Sequence, residues 1–238
     1  MDETLRALLT ERFDWFVYAC FGEMEPRSTL IQEPYLQAMC FALQGAATTN
    51  GSRLLVNMPP RHLKSFAASL CLPAWLLGRD PSMDISVVTY GGDLEREHVD
   101  GIRRLMQSSL YRSLFPHVRL ESARINRLAT TEGGGYRPVT IGGAFTGLGT
   151  DLLILDDMHK SQDINSAVMR EQVINFFRST AVTRFNDPNA SRIIAITHRL
   201  HVDDFSQMLI DTDLFSHLNL PAMASVDARI PLYDDVWT

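Results

Sequence analysis

The stretch Leu54-Leu55-Val56-Asn57-Met58-Pro59-Pro60-Arg61-His62-Leu63-Lys64-Ser65 constrains the fold more than any other. Its apolar run reads as a buried strand. A short polar loop then delivers Lys-Ser into Phe66-Ala67-Ala68-Ser69-Leu70, which has helix-forming composition. Strand, loop and helix in that order make a phosphate-binding setting, where backbone N–H groups and a helix N-terminus face an anion. In such a loop Lys64 would neutralise β- and γ-phosphates and the Ser65 hydroxyl would ligate magnesium. The pattern G-x-x-x-x-G-K-[ST] asks for glycine at positions 58 and 63, where this chain has Met58 and Leu63. We expect helical angles at position 63, which would let Leu pack on the sheet without strain. Taken alone, the stretch fits a phosphate loop and a buried strand closed by a proline turn equally well.

The other strands bear on that choice. Strand–helix alternation continues with Ile85–Thr89, a polar amphipathic helix over Asp93–Ser108, and the apolar strand Asp151-Leu152-Leu153-Ile154-Leu155-Asp156-Asp157. A further strand runs over Arg192–Thr197. Such alternation indicates a mostly parallel sheet flanked by helices. Four consecutive apolar residues at 152–155 suit an interior strand, and two carboxylates at its C-terminal end sit where open α/β sheets bind ligands. An Asp pair closing a strand is by itself more often a cap or a solvated turn. Beside Lys64-Ser65 at another strand's exit it reads differently: Asp156 to hold magnesium, Asp157 to orient or deprotonate the attacking water.

The remaining elements are simpler. Asp2–Cys20 and Glu33–Ala47 have helical periodicity, separated by a proline-containing break at 23–28, and Asn50-Gly51 is a turn. A helix from Lys64 to about Leu77 ends before Gly78-Arg79-Asp80-Pro81. Thr130–Arg137 reads as a hairpin with a glycine turn. Gly142–Gly149 is a glycine-rich connector that precedes a strand rather than opening a helix, so it is not a dinucleotide loop. The organisation expected is a helical segment at 1–48 packed on the core, an α/β core carrying the phosphate-type loop at 49–222, and a tail at 223–238.

With 238 residues, 45% of them apolar and a net charge of -6, the chain has the composition of a globular protein. It shows no leader and no membrane-spanning run, so a cytosolic protein without a membrane partner is expected. Cys20, Cys40 and Cys71 lack close spacing and read as reduced, buried thiols. Residues 101–147 hold Arg103, Arg104, Arg112, Arg119, Arg124, Arg127 and Arg137 against Glu121 and Glu132. These arginines either pair with acids elsewhere in the fold or form a surface that meets phosphate.

The ordered set MPPRHLKS, LLILDDMHK and AITHRLHVDDF, supported by VVTYGG, SLYRSLFP and GGAFTGLG, resembles the ATPase domain of the large terminase subunit of tailed bacteriophages. The likeness runs from about Glu33 to Pro221. It implies an α/β P-loop NTPase of the additional-strand catalytic-glutamate type, binding ATP and Mg2+ and packaging double-stranded DNA. Its implied partners are the portal of a procapsid, the small terminase subunit and further copies in a ring, a pentamer when assembled and monomers in isolation. The implied place is the host cytoplasm and, transiently, the portal vertex. Family roles fall on Pro60, Arg61, His62, Leu63, Lys64, Ser65 and Phe66 around the phosphates, on Ser65 and Asp156 for the metal, and on Asp157 for catalysis. They extend to Thr197 as a γ-phosphate sensor, Arg61 as a charge stabiliser in cis, Arg103 or Arg104 as a finger into the next subunit, and Gln32 and Tyr35 near the base. Family members usually continue into a nuclease; Asp234 and Asp235 read as a solvated tail, and no nuclease activity is expected of these residues.

Three other readings stand beside this one. A helicase-like motor fits the loop, but not the Pro-Pro-Arg-His and Thr-His-Arg-Leu-His strings. A zinc site could use His198, His201, Asp203 and Asp204, but a loop whose Asp203 caps a helix over 204–210 is the reading we favour. A nucleotide-binding scaffold without hydrolysis would be suggested by loss of Lys64 or Asp157, and both are present.

Overall fold

The computed structural model describes residues 2–31, 33–121, 127–143 and 149–222. The N-terminal periodicity resolves into two helices, α1 (Glu3–Glu11) and α2 (Phe13–Met24), rather than one. The backbone turns extended at Arg12, and Gln44 of α3 (Pro34–Thr48) spans the break: its oxygen accepts from Phe13 N at 2.9 Å and its amide donates to Glu11 O at 3.0 Å. That exchange satisfies groups freed by the bend while Leu9, Phe13, Phe16 and Val17 all reach the core.

Strand β1 (Arg53–Asn57) leads into the phosphate-type loop and then a π-helical segment, Phe66–Cys71, continued by α4 (Leu72–Arg79). The widened turn comes from Pro73, which has no N–H and whose ring would strike the carbonyl of Ser69 in a regular helix. Then follow β2 (Asp84–Thr89), α5 (Gly92–Gln107) and α6 (Ser109–Leu114). Strand β3 (Leu128–Ala129) forms the expected hairpin with β4 (Gly135–Thr140), its turn including Gly133 at φ +97°. The chain continues through β5 (Leu152–Asp156), α7 (Ala167–Ser179), β6 (Arg192–Thr197), α8 (Phe205–Asp211) and β7 (Ser216–Asn219).

The strands form one sheet in the order β3-β4-β2-β5-β6-β1-β7, parallel throughout except for β3. Its interior strands are buried on both faces, one packed against α1–α6 and the other against α7 and α8. β6 stands between β1 and β5, so the strand carrying the loop and the strand carrying the acids are separated by one additional strand. This is the α/β architecture expected from the sequence, a mostly parallel sheet flanked by helices. Both functional loops leave the same C-terminal edge of the sheet, where such folds bind ligands.

The three cysteines are buried and free, with Cys20 and Cys71 in hydrogen-bond contact. Among the described residues no helix is long and apolar enough to cross a membrane.

Candidate nucleotide site

Two strand exits build the site. After β1, Arg61 at φ 65° and Leu63 at φ 59° both take left-handed angles, which lets six residues turn back into the helix. This corrects the expectation of helical angles at Leu63: the position has the conformation glycine favours, and the cost is of the order of 1 kcal/mol. Leu63 does pack on the core, as does Phe66, whose ring meets Phe21 edge-on with centroids 5.8 Å apart. The Leu63 carbonyl accepts from Ala67 N at 2.9 Å, so the first amides of the helix are free of intrahelical partners.

At the end of β5, Asp156 points into the protein and is only 2% exposed. Its two oxygens accept from Ser65 Oγ at 3.0 Å and Ser69 Oγ at 2.6 Å. Burial and the neighbouring Asp157 charge push its pKa above the ordinary carboxylate range, against His98 and the two hydroxyls. No lysine or arginine pairs with it among the described residues. A hydroxyl beside a buried carboxylate without a cation is a hard-oxygen donor set, and it fits Mg2+.

Asp157 takes φ 45° and turns the other way. Its Oδ2 lies 2.6 Å from Lys64 Nζ, and its Oδ1 accepts from His198 Nδ1 at 2.8 Å and from His198 N at 3.3 Å. Burial alone would raise this carboxyl, but the His198 hydrogen bond and the Lys64 charge outweigh it and hold it below the usual value. Thr197, buried at the end of β6, pairs in register with Asn57 of β1 and donates its hydroxyl to the His198 carbonyl at 3.0 Å.

Lys64, Ser65, Asp156 and Asp157 therefore converge, with Thr197 between them on β6. His62 stays at the loop, its Nδ1 2.7 Å from the Pro60 carbonyl, and its ring meets Tyr35 with centroids 5.3 Å apart. Arg61 is exposed at the loop's crest. Arg103 and Arg104 do not join the site: they lie toward the C-terminal end of α5, where Arg103 pairs with Asp100 at 2.6 Å. Arg127 and Arg137 both stand 3.7 Å from Asp84, an internal use, while Arg104, Arg112 and Arg119 are exposed. Gln32, Arg124, Asp234 and Asp235 lie outside the described residues.

The His198–Asp204 loop is organised by Asp204, not Asp203. Asp204 is the N-cap of α8, accepting from Gln207 N at 3.0 Å, Leu200 N at 3.0 Å and Arg199 Nε at 3.1 Å. Among the described residues no cluster of three His, Cys, Asp or Glu side chains is arranged to hold a metal. Sequence reasoning missed two partners of the acids. Ser69 was readable as the residue four beyond Ser65 on the same helical face. His198 was read only as a member of the His/Asp string.

No protein-family model matches the sequence, and no curated protein matches it either. Among solved structures, the chain is similar to the large terminase of bacteriophage HK97, with a TM-score of 0.60, 16% identity, and coverage of 93% of this chain and 45% of that one. It is also similar to an arginine-to-alanine variant of the large terminase ATPase domain of Thermus phage P74-26, with a TM-score of 0.54, 13% identity, and coverage of 75% and 80%. The chain thus spans less than half the length of the HK97 protein and shares its fold over that span.

Proposed function

We propose that the chain is the ATPase part of a DNA-packaging motor: it binds Mg-ATP at the Lys64/Asp157 edge and uses hydrolysis to drive double-stranded DNA into a procapsid. One observation supports this above the others. Two sequence-distant pairs, Lys64-Ser65 and Asp156-Asp157, meet on either side of an inserted strand, in a fold shared with large terminases.

Lys64 leaves Asp157 for the β- and γ-phosphates, and the free amides at the helix start cradle their oxygens. Ser65 and Asp156 hold magnesium, which when bound supplies charge neutralisation on the phosphate oxygens. Asp157, released by Lys64, orients the attacking water. Thr197 senses the γ-phosphate from the end of β6. Arg61 is the cis candidate for transition-state charge. Tyr35, against His62, marks the side of the loop from which the base would approach. The proposed partners are DNA, a portal-bearing procapsid, the small terminase subunit and a ring of copies, and the proposed place is the host cytoplasm and the portal vertex.

Phosphate release by the purified chain in Mg-ATP, alone and with procapsids and DNA, tests this. Stimulation by both components together is expected. Turnover without any such stimulation leaves an ATPase but removes the packaging role, and an absence of turnover removes the ATPase.

A further inference from the structure

The geometry points to His198 as the positioning residue for Asp157: we propose that it holds the carboxylate in line for the attacking water once Lys64 has turned to the phosphates. The inference rests on the ATPase reading above and adds a residue to it.

The two oxygens of Asp157 have separate partners. Oδ2 faces Lys64 Nζ at 2.6 Å, a cation that an incoming phosphate competes for. Among the described residues Oδ1 is held by His198 alone, through ring Nδ1 at 2.8 Å and backbone N at 3.3 Å. A carboxylate only accepts, so Nδ1 carries the proton of that contact. When Lys64 leaves, one oxygen is opened to water and the other keeps its anchor. The two roles do not compete, because His198 directly follows β6 and is not on the phosphate loop.

The backbone makes the anchor necessary. Asp157 is a non-glycine residue at φ 45°, a conformation that persists only where its surroundings hold it. Neither side chain is deeply packed: Asp157 is 24% and His198 19% exposed. Packing alone therefore does not fix the rotamer, and hydrogen bonding has to. A cleft of about 580 Å³, lined by Tyr90, Gly91, His159, Lys160, His198 and Asp157, opens beside the pair and gives water a route to the carboxylate. His198 also follows Thr197 directly, on the strand separating the lysine's strand from the acid's. The orientation of Asp157 is thereby tied to the end of β6.

The test compares the wild-type chain with His198→Ala, His198→Asn and His198→Gln, by equilibrium Mg-ATP binding and single-turnover hydrolysis. The amide nitrogen of Asn stands where imidazole Nδ1 does, whereas that of Gln reaches toward Nε2. His198→Ala and His198→Gln are expected to lose roughly 30- to 100-fold in hydrolysis, the cost of misplacing a reacting group by about 1 Å, with nucleotide affinity within about threefold. His198→Asn is expected to recover most of the rate. Retained binding also reports that the variants are folded. A wild-type rate in His198→Ala, an equal loss in all three variants, or a loss of binding that matches the loss of rate would each overturn the proposal while the ATPase reading stands. No hydrolysis by the wild-type chain overturns both.

Discussion

Lys64 and Asp157 face each other at 2.6 Å across the end of a strand that belongs to neither of them. The lysine leaves β1 and the acid leaves β5, and both lean over β6 to meet. Here Lys64 and one oxygen of Asp157 are paired with each other, so under the proposed function a nucleotide breaks the pair before either acts. Lys64→Ala should abolish binding or turnover, because no other loop cation stands in for a point charge on the γ-phosphate. Phosphate release at the wild-type rate in that variant would sink the assignment.

The two acids have different surroundings, and their Asn variants should differ accordingly. Asp157→Asn should still bind Mg-ATP and fail to hydrolyse it, since Asp157 makes no contact with Ser65. Asp156→Asn should weaken metal-dependent binding, because Asp156 is the acid that meets the Ser65 hydroxyl at 3.0 Å. Equilibrium binding with and without Mg2+, followed by single-turnover hydrolysis, separates the two. If Asp157→Asn keeps its rate and Asp156→Asn loses only chemistry, the roles are exchanged.

Asp156 also makes a prediction about stability. Its folded pKa is raised, chiefly by burial. The folded state therefore binds this proton more tightly than the unfolded state, whose carboxyl titrates near ~3.9. Stability from this group falls as pH rises from the unfolded value through the folded one. Asp156→Asn should raise the nucleotide-free Tm at pH 7, by about 2–4 °C for each kcal/mol relieved in a domain of this size. Asp157 has the opposite sign: its folded pKa is depressed, so its contribution is present above the unfolded value and lost as pH falls through the folded one. Thermal melts from pH 3 to 7 should show a shallower acid limb for Asp157→Asn. A lower Tm for Asp156→Asn at pH 7 would refute the buried-charge account.

Assembly is testable through α5. At 1.5 Å per residue, Arg104 lies roughly 18 Å along the helix from its start beside the acidic edge, too far to serve its own site. Arg103 is already paired with Asp100. If an arginine of a neighbouring copy completes the site, specific activity should rise with protein concentration, and Arg104→Ala should remove more of that rise than Arg103→Ala. A concentration-independent rate would instead leave the cis role to Arg61.

The strands at 53–57, 84–89, 152–156 and 192–197 were legible because each is a short apolar run buried on both faces, which few other structures require. Asp156 and Asp157 were legible for the same reason, as polar groups closing such a run, whereas Lys64 and Ser65 were read from the strand–loop–helix order around them. β4 was read only as half of a hairpin, because Arg137 and Pro138 interrupt its apolar pattern. Pro138 is tolerated since β3 pairs only as far as Tyr136, leaving no ladder bond for the missing N–H on that side. β7 is polar and largely exposed, so no periodicity marks it. The His198–Asp157 contact spans 41 residues, and no local pattern encodes a pairing that the sheet order creates.

Leu63 offers the sharpest check on the loop itself. At φ 59° it has left-handed angles, while its side chain is half-buried against the core. Leu63→Gly should relieve about 1 kcal/mol of backbone strain. It should also lose about 1 kcal/mol of apolar burial and add up to about 1 kcal/mol of unfolded-state entropy. The net effect should be a small loss of stability with turnover kept within a few-fold. Leu63→Val preserves most of the apolar surface, yet a β-branched residue fits left-handed angles worst. Val should therefore lower both Tm and nucleotide affinity more than Gly does, although by size and hydrophobicity it is the milder change. Thermal melts and Mg-ATP titrations on the two variants decide the point. If Val proves the better tolerated, position 63 does not hold a positive φ in solution, and the loop's route into the helix is other than described.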